Sequence, residues 1–439
     1  EFVPWAVEKG TVVVDESAQF RMNPSVPLVI PEVNASAIDK HQGIIASPNC
    51  STTQMVMVMK PLHDVSKIKR VIVSTYQAVS GAGLAATSEL EQGTTAWLKN
   101  EVEKHEVFDH PIAGNLIPQI GSHRSGGMTS EEMKMVLETK RIFDDETIKF
   151  LELSYSFGNN SVNASVSEIR EQYNKAAVFF NAGRPSGVTT KDHSVKFEHN
   201  ELKYREYNSK KNNICDVIYL HGGGFVVGDL ESHDDICAEI CDFTGSRVLS
   251  LDYSLAPEHK YPQFYSDSIR FYYFIKNSGR PVVMVGDSAG GNLAAFITYK
   301  SKDTPLKPKA QVLIYPSLGG SNKKRSYKEH ASAPMLTVEE IEYYREQADI
   351  PLMGSLGDLL GNNDNENIPN TLLVNAEIDP LASDCEEYYN QLLIGGCNVN
   401  LIEGKGLPHG FLRARNYTKR AKEVFKNILH YIRSETQAN

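Results

Sequence analysis

The chain has 439 residues, of which 41% are hydrophobic and 23% are charged, a composition typical of a globular protein with two or three domains. This composition excludes intrinsic disorder and fibrous repeats. The formal net charge is −10 without a cluster of lysine and arginine, which argues against a nucleic acid or an anionic membrane surface as partner.

Targeting and metal-binding signals are weak. No apolar run approaches the roughly 18 residues of a membrane span, and the first residues lack a signal-peptide pattern, so we expect a cytoplasmic protein with six reduced cysteines. His233, Cys237 and Cys241 have the residue types of metal ligands. On one helix, positions 233 and 241 would lie about 12 Å apart along the axis, too far to share one ion. The sequence therefore predicts no metal site.

Tyrosine and methionine divide the chain into two parts. Residues 1–150 contain one tyrosine, Tyr76, and seven of the ten methionines, whereas residues 151–439 contain nineteen tyrosines and three methionines. Near the break, a charged helical pattern gives way to the polar stretch 154–167, which is typical of a linker. We therefore predict two domains, 1–150 and 151–439.

The first part contains a candidate nucleophile, Cys50, in the sequence SPNCSTT at 47–53. It precedes the segment 54–60, which is predicted to be helical. A cysteine at a helix N-terminus generally has a lowered pKa, so its thiolate could act as a nucleophile. A buried cysteine beside a capping serine explains the pattern equally well, and the residues alone leave both interpretations open.

Residues 10–149 closely resemble part of the aspartate-semialdehyde dehydrogenase family. The matching blocks are VVDESAQFRM at 13–22, SPNCSTT at 47–53, YQAVSGAG at 76–83, NLIPQIG at 115–121 and EEMK at 131–134. The resemblance implies that Cys50 accepts the acyl group, that Gln77 orients the intermediate, and that Glu131 and Lys134 contact substrate or phosphate.

Two departures from that family change the interpretation of the first part. Its glycine-rich NADP loop is absent, and the family pattern ends near the predicted domain boundary, before the segment of the substrate-binding arginine and the histidine base. Hydride transfer without a dinucleotide site lacks an acceptor. We therefore expect a truncated α+β dehydrogenase-like segment with a vestigial site.

The second part alternates short β-branched or apolar runs with helical patterns, the sign of a parallel sheet with crossover helices. The candidate strands are Asp216–Leu220, Arg247–Asp252, Val282–Gly286, Gln311–Tyr315, Thr371–Asn375 and Asn398–Ile402. The sequence thus predicts an α/β fold whose chemistry lies in the loops after these strands.

The first of these strands ends in HGGG at 221–224, whose consecutive glycines leave backbone N–H groups unshielded. We predict that the amides of Gly223, Gly224 and Ala289 bind a developing oxyanion. A phosphate-binding loop is the alternative, but this loop has neither a G-K-[S/T] ending nor a G-x-G-x-x-G pattern.

The third strand leads into GDSAG at 286–290, a G-x-S-x-G pattern in a strand–turn–helix context. Its two glycines let strand and helix pass close to a strained turn, so Ser288 would present its hydroxyl above the sheet, near the positive end of the helix. The pattern alone is weak, because an ordinary glycine-rich βα turn also produces it.

Two later strand ends supply candidates for a general base and its acid partner. Asp379 and His409 follow the last two predicted strands, which gives the chain order expected of an α/β-hydrolase triad. His409 would take the proton from Ser288, while Asp379 would fix its tautomer. Taken singly, Asp379 is equally well explained as a helix N-cap and His409 as a loop histidine, but three partners at three expected strand ends rarely coincide.

Residues from about 166 to the C-terminus resemble the hormone-sensitive-lipase family of α/β-hydrolases. The blocks that carry the resemblance are HGGG at 221–224, YSLAPE at 253–258, GDSAGG at 286–291, DPL at 379–381 and HGF at 409–411. It implies an α/β-hydrolase fold with a helical cap at about 151–200 and 321–358. Supporting roles are expected for His221, Gly222, Asp287 and Asp384.

By this resemblance the chain is a serine carboxylesterase that hydrolyses small-molecule esters with short to medium acyl chains through an acyl-enzyme on Ser288, without a cofactor. The alternatives are a dehydrogenase acting on aspartate semialdehyde through Cys50 and a hydrolase scaffold that only binds a ligand. The missing dinucleotide loop argues against the first, and retention of His409 against the second. Acyl-chain preference, a homodimeric state, and a natural fusion or an artificial joining of the two parts stay open.

Overall fold

A computed structural model describes residues 2–437 except 24, 66–67, 69, 103, 123–127, 144–149, 152, 158–163, 198–199, 212–213, 352–353 and 363. The chain divides into two compact units, Glu1–Asp145 and Glu146–Asn439, called unit 1 and unit 2 below. Phe150 lies fully buried in a core of unit 2, where its ring centroid is 5.0 Å from that of Phe180. It therefore belongs to unit 2 and not to the first part, where the composition placed it.

Unit 1 contains short elements around a small core. Its helices are α1 (Phe2–Glu8), α2 (Pro31–Asn34), α3 (Cys50–Val65), α4 (Leu84–Leu98) and α5 (Ser130–Phe143). Its strands β1 (Val13–Asp15) and β2 (Ile44–Ala46) pair in parallel. The core consists of Val26, Leu28, Ile30, Ala46, Val56 and Ile142. The predicted helix at 54–60 is confirmed as part of α3.

Unit 2 is built on a mixed sheet of eight strands. The strands are β3 (Val188–Lys196), β4 (Glu201–Ser209), β5 (Asp216–Leu220), β6 (Arg247–Asp252), β7 (Val282–Asp287), β8 (Ala310–Ile314), β9 (Asn370–Ile378) and β10 (Val399–Pro408), in the order 10-9-8-7-5-6-4-3. The six strands β10, β9, β8, β7, β5 and β6 are adjacent in this order, and each pair of neighbours is parallel. Strand β4 is antiparallel to both β3 and β6.

The helices of unit 2 connect the strands or follow them. They are α6 (Val166–Phe180), α7 (Asp234–Thr244), α8 (Gln263–Lys276), α9 (Ala289–Ser301), α10 (Arg325–Glu329), α11 (Val338–Gln347), α12 (Ala382–Ile394) and α13 (Lys419–Gln437). A 3-10 helix spans Phe411–Asn416. None of the described helices is both long and apolar enough to cross a membrane.

Each face of the sheet is covered by its own apolar core. Along β5, Ile218 and Leu220 enter one core, while Val217 and Tyr219 enter the other. Every residue of β5, β7 and β8 is buried, as expected for parallel strands covered on both faces. Burial of each large apolar side chain contributes roughly 1.5–3 kcal/mol to the free energy of folding. The sheet is therefore a stable support for the loops at the carboxyl ends of its strands.

All six predicted strands are confirmed, as β5 to β10, but the sequence reading missed β3 and β4. Both strands are rich in polar residues, many of them partly exposed, and lack an apolar run, and β3 forms the edge of the sheet. The predicted cap range 151–200 is therefore too long, because its end is sheet. The predicted linker 154–167 lies partly outside the described residues, and α6 begins within it at Val166.

Candidate active site

The candidate nucleophile lies on a sharp turn between β7 and α9. Ser288 has φ +53° and ψ −118°, a conformation that is strained for a residue with a side chain. A Cβ atom at Gly286 would collide with the carbonyl of Gly290, and one at Gly290 with the carbonyl of Leu220. The two glycines of the pattern thus permit the close crossing of strand and helix on which the turn depends.

Ser288, His409 and Asp379 form one chain of hydrogen bonds. His409 Nε2 is 2.9 Å from Ser288 Oγ, and His409 Nδ1 is 2.6 Å from Asp379 Oδ2. With the proton on Nδ1, the serine hydroxyl donates to Nε2, which is the tautomer that can accept the serine proton. Asp379 is fully buried, and its Oδ1 accepts the amide of Leu381 at 2.9 Å. The carboxylate is therefore fixed in position.

The glycine loop after β5 lines the same cavity as the serine. Gly223 and Gly224 have φ +124° and +61°, and a Cβ at Gly223 would collide with the carbonyl of Val227. Among the described residues, no acceptor is found for the amides of Gly223, Gly224 and Ala289. Unpaired amides beside a nucleophile can stabilise negative charge on an attacked carbonyl oxygen.

Asp287 joins the glycine loop to the nucleophile turn. Its Oδ1 accepts the Tyr219 hydroxyl at 2.8 Å and the Gly222 amide at 3.0 Å, and it lies 3.4 Å from Nε2 of His233. Burial raises the pKa of Asp287, but the His233 charge and these hydrogen bonds outweigh burial and lower it to about 2. The ionised carboxylate therefore holds both loops together.

His221, the first residue of the HGGG loop, is held by contacts with Tyr253 and Gly222. Its ring stacks on Tyr253 with the centroids 4.3 Å apart, and its Nδ1 lies 2.8 Å from the carbonyl oxygen of Gly222. Burial, reinforced by the nearby His233, lowers the pKa of His221 to about 4. The imidazole is therefore neutral near pH 7.

Asp384 is placed at the cap and makes no described hydrogen bond to the three triad residues. Its carboxylate accepts Lys324 Nζ at 2.8 Å and the Tyr327 hydroxyl at 3.2 Å. Burial raises its pKa to about 6, although the Lys324 charge acts in the opposite direction. These two bonds join Asp384 of α12 to the segment around α10.

The triad opens onto a cavity of about 860 Å³. Its apolar wall comes mainly from the cap, through Met335, Leu336, Val338, Ile341 and Leu360. Tyr173 of α6 and Tyr344 of α11 also line it. Ser288 and His409 thus line a cavity of small-molecule size together with apolar side chains.

Residues 217–413 match the family described as alpha/beta hydrolase fold. Unit 2 has the α/β-hydrolase fold. An esterase of Pyrobaculum calidifontis is 28% identical, with a TM-score of 0.60 over 65% of this chain and 99% of its own. The carboxylesterase EstE1 from a metagenomic library is 29% identical, with a TM-score of 0.60 over 63% and 99%. These similarities confirm the predicted fold.

In unit 1, two of the residues that its sequence singled out, Gln77 and Lys134, contact a third, Glu131. The Glu131 carboxylate accepts the side-chain amides of Asn49 at 2.7 Å and Gln77 at 3.4 Å, and Lys134 Nζ at 3.3 Å. Burial raises the pKa of Glu131, but the bonds from Asn49 and Lys134 lower it overall. Cys50, the next residue after Asn49, is exposed at the start of α3.

Unit 1 matches two family descriptions, semialdehyde dehydrogenase NAD binding domain at residues 1–41 and dimerisation domain at 59–152. The aspartate-semialdehyde dehydrogenase of Aquifex aeolicus is 50% identical over 152 residues, which is 34% of this chain and 45% of the relative. The enzyme of Bacillus subtilis is 47% identical over 146 residues, 32% and 42%. The chain thus spans less than half the length of these relatives, and the predicted fusion of two families is confirmed.

The sequence reading missed the residues that hold the site together from a distance. Tyr219 contacts Asp287 across 68 positions, and no local pattern pairs them. His233 was considered as a metal ligand but lies beside Asp287, and Cys237 and Cys241 are buried. Within the described part of the chain, no group of histidine, cysteine and carboxylate side chains could hold a metal ion.

Proposed function

We propose that unit 2 is a serine carboxylesterase that hydrolyses small-molecule esters with short to medium acyl chains. The observation that carries this proposal is the hydrogen-bonded chain from Ser288 through His409 to Asp379, facing a cavity shared with unpaired amides. The two structures compared above are named esterase and carboxylesterase, which supports the same chemistry.

In the first half of the reaction, Ser288 Oγ attacks the ester carbonyl carbon while its proton moves to His409 Nε2. The amides of Gly223, Gly224 and Ala289 stabilise the negative oxygen of the tetrahedral intermediate. Collapse of the intermediate breaks the bond to the alcohol, which leaves with the proton from His409. The products of this half are the free alcohol and an acyl-enzyme.

In the second half, water takes the place of the alcohol. His409 accepts a proton from water, whose oxygen attacks the acyl carbonyl, and the same amides hold the second tetrahedral intermediate. Its collapse releases the carboxylic acid and returns the proton to Ser288. The buried Asp379 stabilises the imidazolium in both halves, and no cofactor enters any step.

The cavity supports the proposed substrate class. A volume of about 860 Å³ lies in the upper range of small-molecule pockets. Its wall near the cap is formed by apolar side chains, including Leu336 and Ile341, which suits an alkyl chain of a few carbons. We infer that hydrolysis rates rise with acyl length until the chain fills this space.

The test compares Ser288→Ala with the wild-type chain on p-nitrophenyl butyrate. We expect kcat to fall by a factor of about 10³ or more, because the remaining rate comes only from binding and the oxyanion amides. Ser278→Ala serves as the control, since Ser278 is exposed and does not line the cavity. Activity of the Ser288 variant within tenfold of wild type would contradict the proposal.

We propose no second reaction for unit 1. The chain spans less than half the length of the dehydrogenases that unit 1 resembles, so their reaction is not assigned to it. Gln77 and Lys134, to which the dehydrogenase resemblance assigns roles together with Cys50 and Glu131, both contact Glu131, and we propose that this group is a vestigial site.

A further inference from the structure

Arg413 is a cavity residue that the hydrolytic mechanism does not use. It lies four positions after His409, in the 3-10 helix Phe411–Asn416, and lines the same cavity as Ser288. Its guanidinium carbon is 3.9 Å from the centroid of the Tyr173 ring, so it stacks on the cap helix α6. The segment that supplies the general base therefore also supplies a cation to the cavity.

The charge of Arg413 has no carboxylate partner among the described residues. Its Nη2 atom is buried and has no hydrogen-bond partner. Arg415, two positions later, contrasts with it, because its guanidinium binds the carboxylates of Asp235 and Glu239. A shielded guanidinium with an unused N–H group is able to bind an anion that enters the cavity.

The carboxylates that line the cavity do not neutralise the charge of Arg413. The carboxylates that line the cavity are Asp287, Glu342, Asp358 and Glu387, and no ion pair joins any of them to Arg413 in the described part of the chain. Three of them have other partners: Asp287 accepts Tyr219 and Gly222, Asp358 accepts the amides of Gly320 and Gly361, and Glu387 pairs with Lys324.

The charge of Arg413 acts on three tyrosines that line the cavity, Tyr173, Tyr315 and Tyr344. A neutral tyrosine does not cancel the charge of a guanidinium. The Tyr315 ring centroid lies 4.7 Å from that of His409, and a Cβ at Gly224 would contact the Tyr344 ring. Burial raises the pKa of Tyr173 to about 12, although Arg413 opposes it, so this hydroxyl stays neutral near pH 7.

We propose that Arg413 is a specificity-determining residue that binds a carboxylate carried by the substrate, so that the preferred substrates are esters with a free carboxylate on the acyl or the alcohol part. This inference rests on the proposed esterase function. A guanidinium pairs with a carboxylate through parallel N–H···O bonds, which orient the ester as well as attract it.

The test uses esters that differ only in charge. Monoethyl adipate, ethyl hexanoate and ethyl 6-aminohexanoate share a six-carbon acyl chain and are negative, neutral and positive. Hexanoyl glycolate and propyl hexanoate form a second pair, with the charge on the alcohol side. Hydrolysis is followed by proton release at constant pH, and the readout is the ratio of kcat/KM for the anionic ester to that for its neutral partner.

For wild type, we expect a ratio above one in at least one pair and the slowest hydrolysis for the positive ester. Arg413→Gln should lower that ratio about tenfold or more, since the lost bonds are charge-assisted, and Arg413→Lys should restore part of it. Arg270→Gln removes a positive charge from the exposed side of α8, outside the cavity, and should leave the ratio unchanged. Added salt should lower the wild-type ratio.

The outcomes separate this inference from the function on which it rests. If wild type hydrolyses the esters but shows no charge preference, or if Arg413→Gln reduces both members of each pair equally, Arg413 only anchors Tyr173 and the inference is wrong. The esterase proposal would still stand. Should Arg413→Gln fail to fold, the salt series and the Lys variant decide. A wild-type chain that hydrolyses none of the five esters overturns both.

Discussion

The two units differ most in how completely they bury their apolar side chains. In unit 2, the central strands β5, β7 and β8 are buried at every residue. In unit 1, large apolar side chains such as Val65, Ile72, Leu84 and Val102 are 79% to 91% exposed. Buried apolar area supplies most of the free energy of folding, so unit 2 has the firmer scaffold.

The same difference extends to the two groups of chemically active side chains. Asp379 of unit 2 is fully buried and fixed by two hydrogen bonds, at the end of a strand inside the sheet. Gln77 of unit 1, which contacts Glu131, comes from the segment 70–78, which has no regular secondary structure and in which the neighbouring Tyr76 is exposed. A catalytic group needs a rigid support, and only the triad of unit 2 has a sheet beneath it.

A matched pair of carboxylate-to-amide changes should show the largest difference between the units. Asp379→Asn removes the charge that fixes the tautomer of His409, and we expect kcat/KM for p-nitrophenyl butyrate to fall by about 10³–10⁴-fold. Glu131→Gln makes the same chemical change in unit 1 and should leave esterase activity within about twofold. Comparable losses in both variants would show that the two groups do not act separately.

The pH dependence of stability should isolate one buried group of unit 2. The folded-state pKa of Asp384, about 6, lies above the ordinary value of 3.8, so the folded protein holds this proton more tightly than the unfolded chain. Its contribution to stability is therefore full below pH 4 and is lost as the pH rises through 6.

Asp384→Asn removes this titration. The free energy of unfolding of wild type, relative to the variant, should fall by roughly 2 kcal/mol between pH 4 and 7. Urea titrations followed by the near-ultraviolet circular dichroism of tyrosine measure it, because nineteen of the twenty tyrosines lie in residues 151–439. A difference that stays constant or rises with pH would contradict the assignment.

The smallest effect is expected from removing unit 1. A chain that begins at residue 146 keeps Phe150 and the whole core of unit 2, and we propose that it retains kcat/KM within about threefold. It should also be less prone to aggregate, since exposed apolar side chains and unpaired strand edges favour association. A folded, soluble product without esterase activity would show that the hydrolase needs unit 1.

The sequence located the central strands and the candidate triad of unit 2 better than the residues that hold them in place. The strands β5 to β10 were recognisable because buried parallel strands form apolar runs, and Ser288 and His409 follow two of them directly. The strands β3 and β4 were missed because their many polar residues resemble a loop. Contacts of Tyr219 with Asp287 and of Lys324 with Asp384 depend on how distant segments pack, which local patterns do not encode.

The central claim is that Ser288 is the nucleophile of this chain, and covalent labelling tests it most directly. The intact protein is incubated with an alkyl fluorophosphonate, which reacts with an activated serine, and the modified peptide is identified by mass spectrometry. The account predicts one adduct per chain, on Ser288, none on Cys50, and loss of esterase activity in proportion to labelling. Full loss of activity with Ser288 unmodified, or an adduct on another residue alone, would contradict it.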